Sequence, residues 1–129
     1  MTLQSLRPRG LPGPTGGILT LVSDQQFACA FCVDLHSRDA LAAGESSRRL
    51  FSVAAWHESP FFTERERAAL ALTDAVTRLG PDGVPDDVWN TVTKVWTEQE
   101  AANLIVAIAT INVWNRFAVT TRTPPPTTV

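Results

Sequence analysis

Two cysteines and a histidine are the residues of this sequence with the most obvious capacity for chemistry. Cys29, Cys32 and His36 are separated by three and four residues. At about 100° per residue, a helix would place the three side chains within roughly 60° of one face. A thiol is a poor nucleophile until it ionises, and an imidazole one turn away can accept its proton. The spacing therefore indicates an activated cysteine.

The second cysteine extends this interpretation to redox chemistry. A thiol three residues away can trap an oxidised cysteine as a disulfide before it over-oxidises. If a helix begins near Cys29, its unpaired backbone N–H groups would favour the thiolate. Asp34 and Arg38 are spaced for an ion pair on the opposite side of that helix. The reactive stripe itself is completed by apolar residues, namely Val33, Ala40 and Ala43.

Two other interpretations of the cysteines remain open. A zinc ion needs four ligands, which Cys29, Cys32, His36 and His57 supply in number. Zinc is disfavoured because structural zinc usually stabilises small, loop-rich modules. Alternatively, the cysteines are simply small buried apolar residues. For His57, a solvated or helix-capping role is favoured over a catalytic one.

Proline and glycine divide the rest of the chain into segments that are free to be helical. Capping-box spacings at Thr63 with Glu66 and at Thr97 with Glu100 predict two helix starts. Strand-like alternation of apolar and polar residues is absent, so we expect an all-α fold of five or six helices. The predicted helical segments are 18–43, 46–56, 63–79, 86–96 and 97–117.

The last predicted helix is apolar on two sides, which predicts burial on both. We expect a homo-oligomer to cover the second side, and the alternative is a central helix within one monomer. The first side carries Ala101, Leu104, Ile105, Ile108 and Ile111, and the second carries Ala102, Val106, Ala109, Val113 and Phe117.

Composition narrows the class of protein. The 129 residues are 44% apolar and 19% charged with a net charge of −2, as expected of one globular domain. Basic residues are scattered, which argues against a nucleic-acid partner. The longest strongly apolar run, Leu104 to Ala109, is too short to cross a membrane. Prolines and glycines interrupt the N-terminus where a signal peptide would be apolar, so we expect a cytoplasmic protein.

A reducing cytoplasm makes two cysteines more often catalytic or metal-binding than a structural bridge. We expect residues 17–118 to form the helical domain. Residues 1–16 are expected to be a flexible segment and residues 119–129 an extended or mobile tail, since both are rich in Pro, Gly or Thr.

Three motifs together resemble a known family. The run from Cys29 to Ala40, followed by Gly44, resembles the core motif of the alkyl hydroperoxidase D (AhpD)-like branch of the carboxymuconolactone decarboxylase family. The segment from Thr63 to Leu70 resembles the following helix start of that family, and Ile111 to Arg116 resembles its C-terminal Asn-Trp-Asn-Arg signature. The motifs occur in the family's order across about residues 20–120.

The resemblance implies a fold, an assembly and an activity. The fold would be an AhpD-like helical bundle, assembled as a homo-trimer or homo-hexamer. The activity would be that of a thiol peroxidase or disulfide reductase, with a hydroperoxide substrate and a dithiol partner, and without a metal, haem or flavin cofactor. In this scheme Cys32 attacks the peroxide, Cys29 resolves the product and His36 relays protons.

The sequence departs from the family pattern at one acidic position. Members with a peroxidase-type site usually carry a glutamate about twelve residues before the first cysteine, where this chain has Gly17, or Gly16 with one insertion. Asp24 is the only acidic residue upstream of the motif. Loss of a general acid or base predicts turnover slower by about 10²- to 10⁴-fold. The alternatives are a non-catalytic oligomeric scaffold of the same family and a carboxymuconolactone decarboxylase-type enzyme.

A second departure concerns the turn before the motif. The Asn-Gly that often precedes the first cysteine is Phe27-Ala28 here, so the sequence leaves open whether the chain bends before Cys29 or continues as helix.

Overall fold

The computed structural model describes residues 15–128, which form six α-helices. A 3₁₀ turn, Val53–Ala55, follows the third helix, and the described residues contain no β-strand. The predicted all-α fold is confirmed. The helices are α1 Thr15–Gln26, α2 Ala30–Ala42, α3 Ser47–Ser52, α4 Glu64–Thr77, α5 Asp86–Val95 and α6 Glu98–Thr120.

Both predicted capping boxes are present. The hydroxyl of Thr63 accepts the backbone N–H of Glu66 at 3.2 Å, and the Glu66 carboxylate accepts the N–H of Thr63 at 2.8 Å. Thr97 and Glu100 make the same reciprocal pair at the start of α6. Each box satisfies backbone donors that a helix start leaves unpaired, which fixes where α4 and α6 begin.

The predicted single helix over residues 18–43 is wrong. The chain breaks at residues 27–29 into α1 and α2, and Ala28 takes a left-handed φ of +49°. The predicted ends of the helical domain, residues 17 and 118, also differ from the ends of the first and last helices. Helix α1 begins at Thr15 and α6 extends to Thr120, while most of the predicted flexible segment, residues 1–14, lies outside the described residues.

The core lies where α1, α4 and α6 meet. Its largest fully buried side chains come from these three helices: Ile18, Leu21, Leu70, Leu72, Leu104 and Ile108. Helix α2 packs mainly on α1. The site-bearing helix therefore rests against a helix that is itself part of the core.

Helix α6 is the one helix among residues 15–128 with the length and composition of a candidate membrane span, at a mean hydropathy of 1.3. The core helix of a soluble protein meets the same criterion. Here Leu104 and Ile108 are buried in the core, and Asn112 and Asn115 donate hydrogen bonds to α1. These contacts are those of a core helix.

The second apolar side of α6 is exposed in the single chain. Val106 is 65% exposed, Val113 51% and Phe117 62%. The other five helices therefore leave this side uncovered, as the oligomer hypothesis requires. Contiguous apolar surface of this kind is unusual on a soluble monomer.

We predict a trimer or hexamer that buries this side of α6. Val106→Asp or Val113→Asp should shift the protein toward smaller or aggregated species, because burying an unpaired charge is costly. Asn90→Asp, which adds the same charge at an exposed position of α5, should leave the mass unchanged. Light scattering at micromolar concentration measures this, and a wild-type mass of 14.0 kDa, that of the monomer, would contradict the prediction.

Candidate functional site

The two cysteines form a disulfide at the start of α2. Their Cα atoms are 5.2 Å apart, and each residue is only 3% exposed. Neither is an isolated core residue, so the interpretation of the cysteines as mere small apolar side chains does not hold. Within residues 15–128, no group of three or more His, Cys, Asp or Glu side chains is placed to hold a metal ion. The four ligands considered for zinc therefore do not assemble.

A tight turn sets the position of Cys29. The backbone oxygen of Asp24 accepts the Cys29 N–H at 3.0 Å, and that of Gln25 accepts the Ala28 N–H at 3.1 Å. Cys29 is extended and caps α2, with its Sγ accepting the N–H of Cys32 at 3.2 Å. The chain thus bends before Cys29, which settles the point that the sequence left open, and a helix begins directly after it. The Cys29 sulfur lies at the positive end of the α2 dipole, where negative charge is favoured.

A buried carboxylate partners the histidine. Asp24, in α1, is 0% exposed, and its Oδ2 lies 2.5 Å from Nδ1 of His36 in α2. When a neutral imidazole faces an ionised Asp24, Nδ1 carries the proton and Nε2 keeps its lone pair. The only acidic residue upstream of the motif therefore lies beside it, and His36 has a carboxylate partner although residue 17 is a glycine.

The glycine at the family's glutamate position has a packing role. A Cβ built on Gly17 would lie 3.1 Å from the Cβ of Ala40. This contact is tighter than ordinary van der Waals separation, so a side chain at residue 17 would push α1 and α2 apart. Gly17 permits their close approach, and the carboxylate comes from Asp24 instead.

Asn115 is the site residue to which the sequence analysis assigned no role. Its Nδ2 donates to Oδ1 of Asp24 at 2.7 Å, and the residue is fully buried. The only signal in the sequence was its place in the Asn-Trp-Asn-Arg motif near the end of α6.

His57 lies away from the cysteine pair. Its side chain is 66% exposed, stacks on Trp56 at a centroid separation of 3.7 Å, and lies 3.7 Å from a carboxylate oxygen of Asp74. The predicted solvated role is confirmed. With Asp74 and Arg78 it lines an open pocket whose lining includes neither cysteine.

Ala28 adopts a conformation that glycine adopts without strain. We predict that Ala28→Gly stabilises the protein by about 0.5–1 kcal/mol, because the left-handed region crowds the Cβ of an L-residue. Ala42→Gly, in the last turn of α2, should instead destabilise it by about 0.5–1 kcal/mol. Urea unfolding of the oxidised proteins measures both. Equal destabilisation by the two substitutions would show that Ala28 is not strained.

Sequence comparisons relate the chain to one family. The Carboxymuconolactone decarboxylase family model matches residues 2–75. The uncharacterized protein YdfG of Bacillus subtilis (strain 168) is 33% identical over 105 residues, 81% of this chain and 71% of YdfG. The uncharacterized protein YnjA of Escherichia coli (strain K12) is 32% identical over 93 residues, 72% of this chain and 50% of YnjA.

Comparisons with solved structures agree with this family assignment. A protein of unknown function from Agrobacterium tumefaciens, named as a candidate antioxidant defence protein AhpD, is 35% identical with a TM-score of 0.90, covering 96% of this chain and 85% of its own. The debrominase Bmp8 shares the fold at 20% identity and a TM-score of 0.81, covering 91% of this chain and 62% of its own. The resemblance in the sequence motifs is confirmed, and the chain belongs to the carboxymuconolactone decarboxylase family, with an AhpD-like fold.

Proposed function

We propose that this protein is a thiol-dependent peroxidase that cycles between the Cys29–Cys32 disulfide and the dithiol. The observation that carries the proposal is the arrangement at the start of α2, where the cysteine pair precedes a histidine held by a buried carboxylate. An antioxidant role agrees with the family and with the name of the Agrobacterium relative. The likeness to the debrominase concerns the fold alone.

The proposed reaction starts from the dithiol form. Nε2 of His36 accepts the proton of the Cys32 thiol, and the thiolate attacks the terminal, proton-bearing oxygen of a hydroperoxide ROOH. The O–O bond breaks, Cys32 becomes a sulfenic acid, and the alkoxide takes the proton back from His36 to leave as ROH. Cys29 then attacks the Cys32 sulfur, forming the disulfide and releasing water. A dithiol partner restores both thiols by exchange and leaves as its own disulfide.

The assignment of roles rests on position along α2. His36 follows Cys32 by four residues, one helical turn, and follows Cys29 by seven. Proton transfer requires hydrogen-bond reach, so the nearer thiol is the one the imidazole serves. Cys29, at the end of the turn, is held beside Cys32 and is placed to resolve the sulfenic acid.

Asp24 holds His36 in the tautomer that the reaction needs. With Nδ1–H directed at the carboxylate, the imidazole keeps Nε2 as a base and is stabilised when it becomes the imidazolium. The loss of a carboxylate at Gly17, which motivated the scaffold alternative and the expectation of slow turnover, is therefore offset at a different position. No feature of the described residues specifically favours the decarboxylase alternative.

A catalytic disulfide also fits a reducing compartment, since each turnover consumes reductant. We therefore place the reaction in the cytoplasm, in a trimer or hexamer, with small or protein dithiols as electron donors.

We predict that the two cysteines respond differently to substitution. Cys29→Ser should leave a sulfenic acid on Cys32 that dimedone traps, because the resolving thiol is absent. Cys32→Ser should abolish the reaction with peroxide. Mass spectrometry after mild peroxide treatment measures both, and dimedone labelling of Cys29 in the Cys32→Ser protein at the wild-type rate would reverse the assignment.

A second prediction concerns the carboxylate. Asp24→Asn should lower the rate of peroxide-dependent disulfide formation by about 10²- to 10⁴-fold, because an amide can present N–H to Nδ1 and so place the imidazole proton on Nε2. Asp34→Asn is the matched control, since Asp34 pairs with Arg38 at the surface of α2, the helix that carries His36. Stopped-flow thiol loss gives both rates. Equal rates for wild type and Asp24→Asn would mean that another group serves His36.

A further inference from the structure

The carboxylate that holds His36 is itself held by a residue far away in sequence. Asp24 uses one oxygen for His36, at 2.5 Å, and the other for Nδ2 of Asn115, at 2.7 Å. Asp24 and Asn115 are both fully buried. A linear chain of hydrogen bonds therefore runs from α6 through α1 to α2.

The chemistry of the two partners defines which way the Asn115 amide points. A carboxylate only accepts hydrogen bonds, so the amide N–H must face it and the amide oxygen must face away. That oxygen is buried and has no hydrogen-bond partner among residues 15–128. An apolar side chain would avoid this unsatisfied acceptor, so packing alone does not account for an asparagine here.

We propose that Asn115 is a positioning residue, which fixes the orientation of the Asp24 carboxylate against His36 and so keeps the proton of neutral His36 on Nδ1. Its significance for catalysis rests on the proposed peroxidase function, but its effect on the imidazole is a property of the resting disulfide form. Without the Asn115 donor, the buried carboxylate loses one of its two stabilising hydrogen bonds.

The consequence is a different tautomer of neutral His36. Once the carboxylate is free to turn away from Nδ1, the single proton of the neutral imidazole is no longer held there and lies on Nε2. In that state Nε2 cannot accept the proton of Cys32. The side-chain amide of Asn115 thus determines whether His36 can act as a base, although Asn115 itself has no assigned contact with the sulfur atoms.

The chain offers a matched control one turn earlier on the same helix. Asn112 is also buried, and its Nδ2 donates to the hydroxyls of Thr77 and Ser23 and to the backbone oxygen of Ile108. None of these partners is Asp24. Replacing Asn112 therefore removes a comparable buried amide and its hydrogen bonds from α6 without removing a donor from the carboxylate.

The test is ¹⁵N NMR of the His36 imidazole in the full-length disulfide form, without peroxide. Wild type and Asn112→Leu should show the Nδ1–H tautomer, whereas Asn115→Leu should show a proton on Nε2. An unchanged Nδ1–H tautomer in folded Asn115→Leu would overturn the proposal. Because no turnover is measured, a tautomer shift in a protein that lacks peroxidase activity would support the positioning role and reject the proposed function.

Wild-type protein provides a second measurement that does not depend on a variant folding. One side-chain amide proton of Asn115 should be shifted downfield and protected from exchange, because it is buried against a carboxylate. An unshifted, rapidly exchanging amide would overturn the proposal. If wild type proves active, Asn115→Leu should slow disulfide formation by about 10- to 100-fold, the range found for outer-shell partners of metal-bound histidines. Asn112→Leu should not, and equal slowing by both would indicate a merely structural effect.

Discussion

A buried carboxylate is the constraint around which the site is organised. Transferring an ionised carboxylate from water to a protein interior is costly unless it is paired and hydrogen-bonded. Asp24 meets this requirement with partners from two other helices, His36 of α2 and Asn115 of α6. Its backbone oxygen also accepts the N–H of Cys29. One residue therefore orients the imidazole, binds α6 to α1 and fixes the start of the cysteine motif.

The break between α1 and α2 makes this arrangement possible. A continuous helix through residues 18–43 would keep Asp24 and His36, which are twelve residues apart, about 18 Å apart along one axis. The turn at residues 27–29 removes this separation, because it folds α2 back against α1. The close contact between Gly17 and Ala40 belongs to the same packing, since it lets the two helices approach where a larger side chain would hold them apart.

The comparisons show that the helical fold of this chain is shared by proteins of very different sequence. The AhpD-named relative and the debrominase share the helical architecture with this chain at very different sequence identities. A fold of this kind supports many sites, so function must be argued from the side chains that it brings together. Here these are a cysteine pair at a helix start, a histidine one turn later and a carboxylate supplied from the preceding helix.

The sequence by itself determined the local features. Capping boxes at Thr63 and Thr97 located two helix starts, because each box depends on interactions within a single helical turn. The spacing of Cys29, Cys32 and His36 predicted a shared helix face by the same local logic, and the structure places Cys32 and His36 in α2 with Cys29 as its cap. The contacts of Asp24 with His36 and with Asn115, 91 residues away, were decided by tertiary structure. Such contacts depend on where helices break and how they pack, and no local period encodes them. The sequence left the break itself open, because Ala28 is a good helix former by propensity, whereas its surroundings hold it in a left-handed conformation.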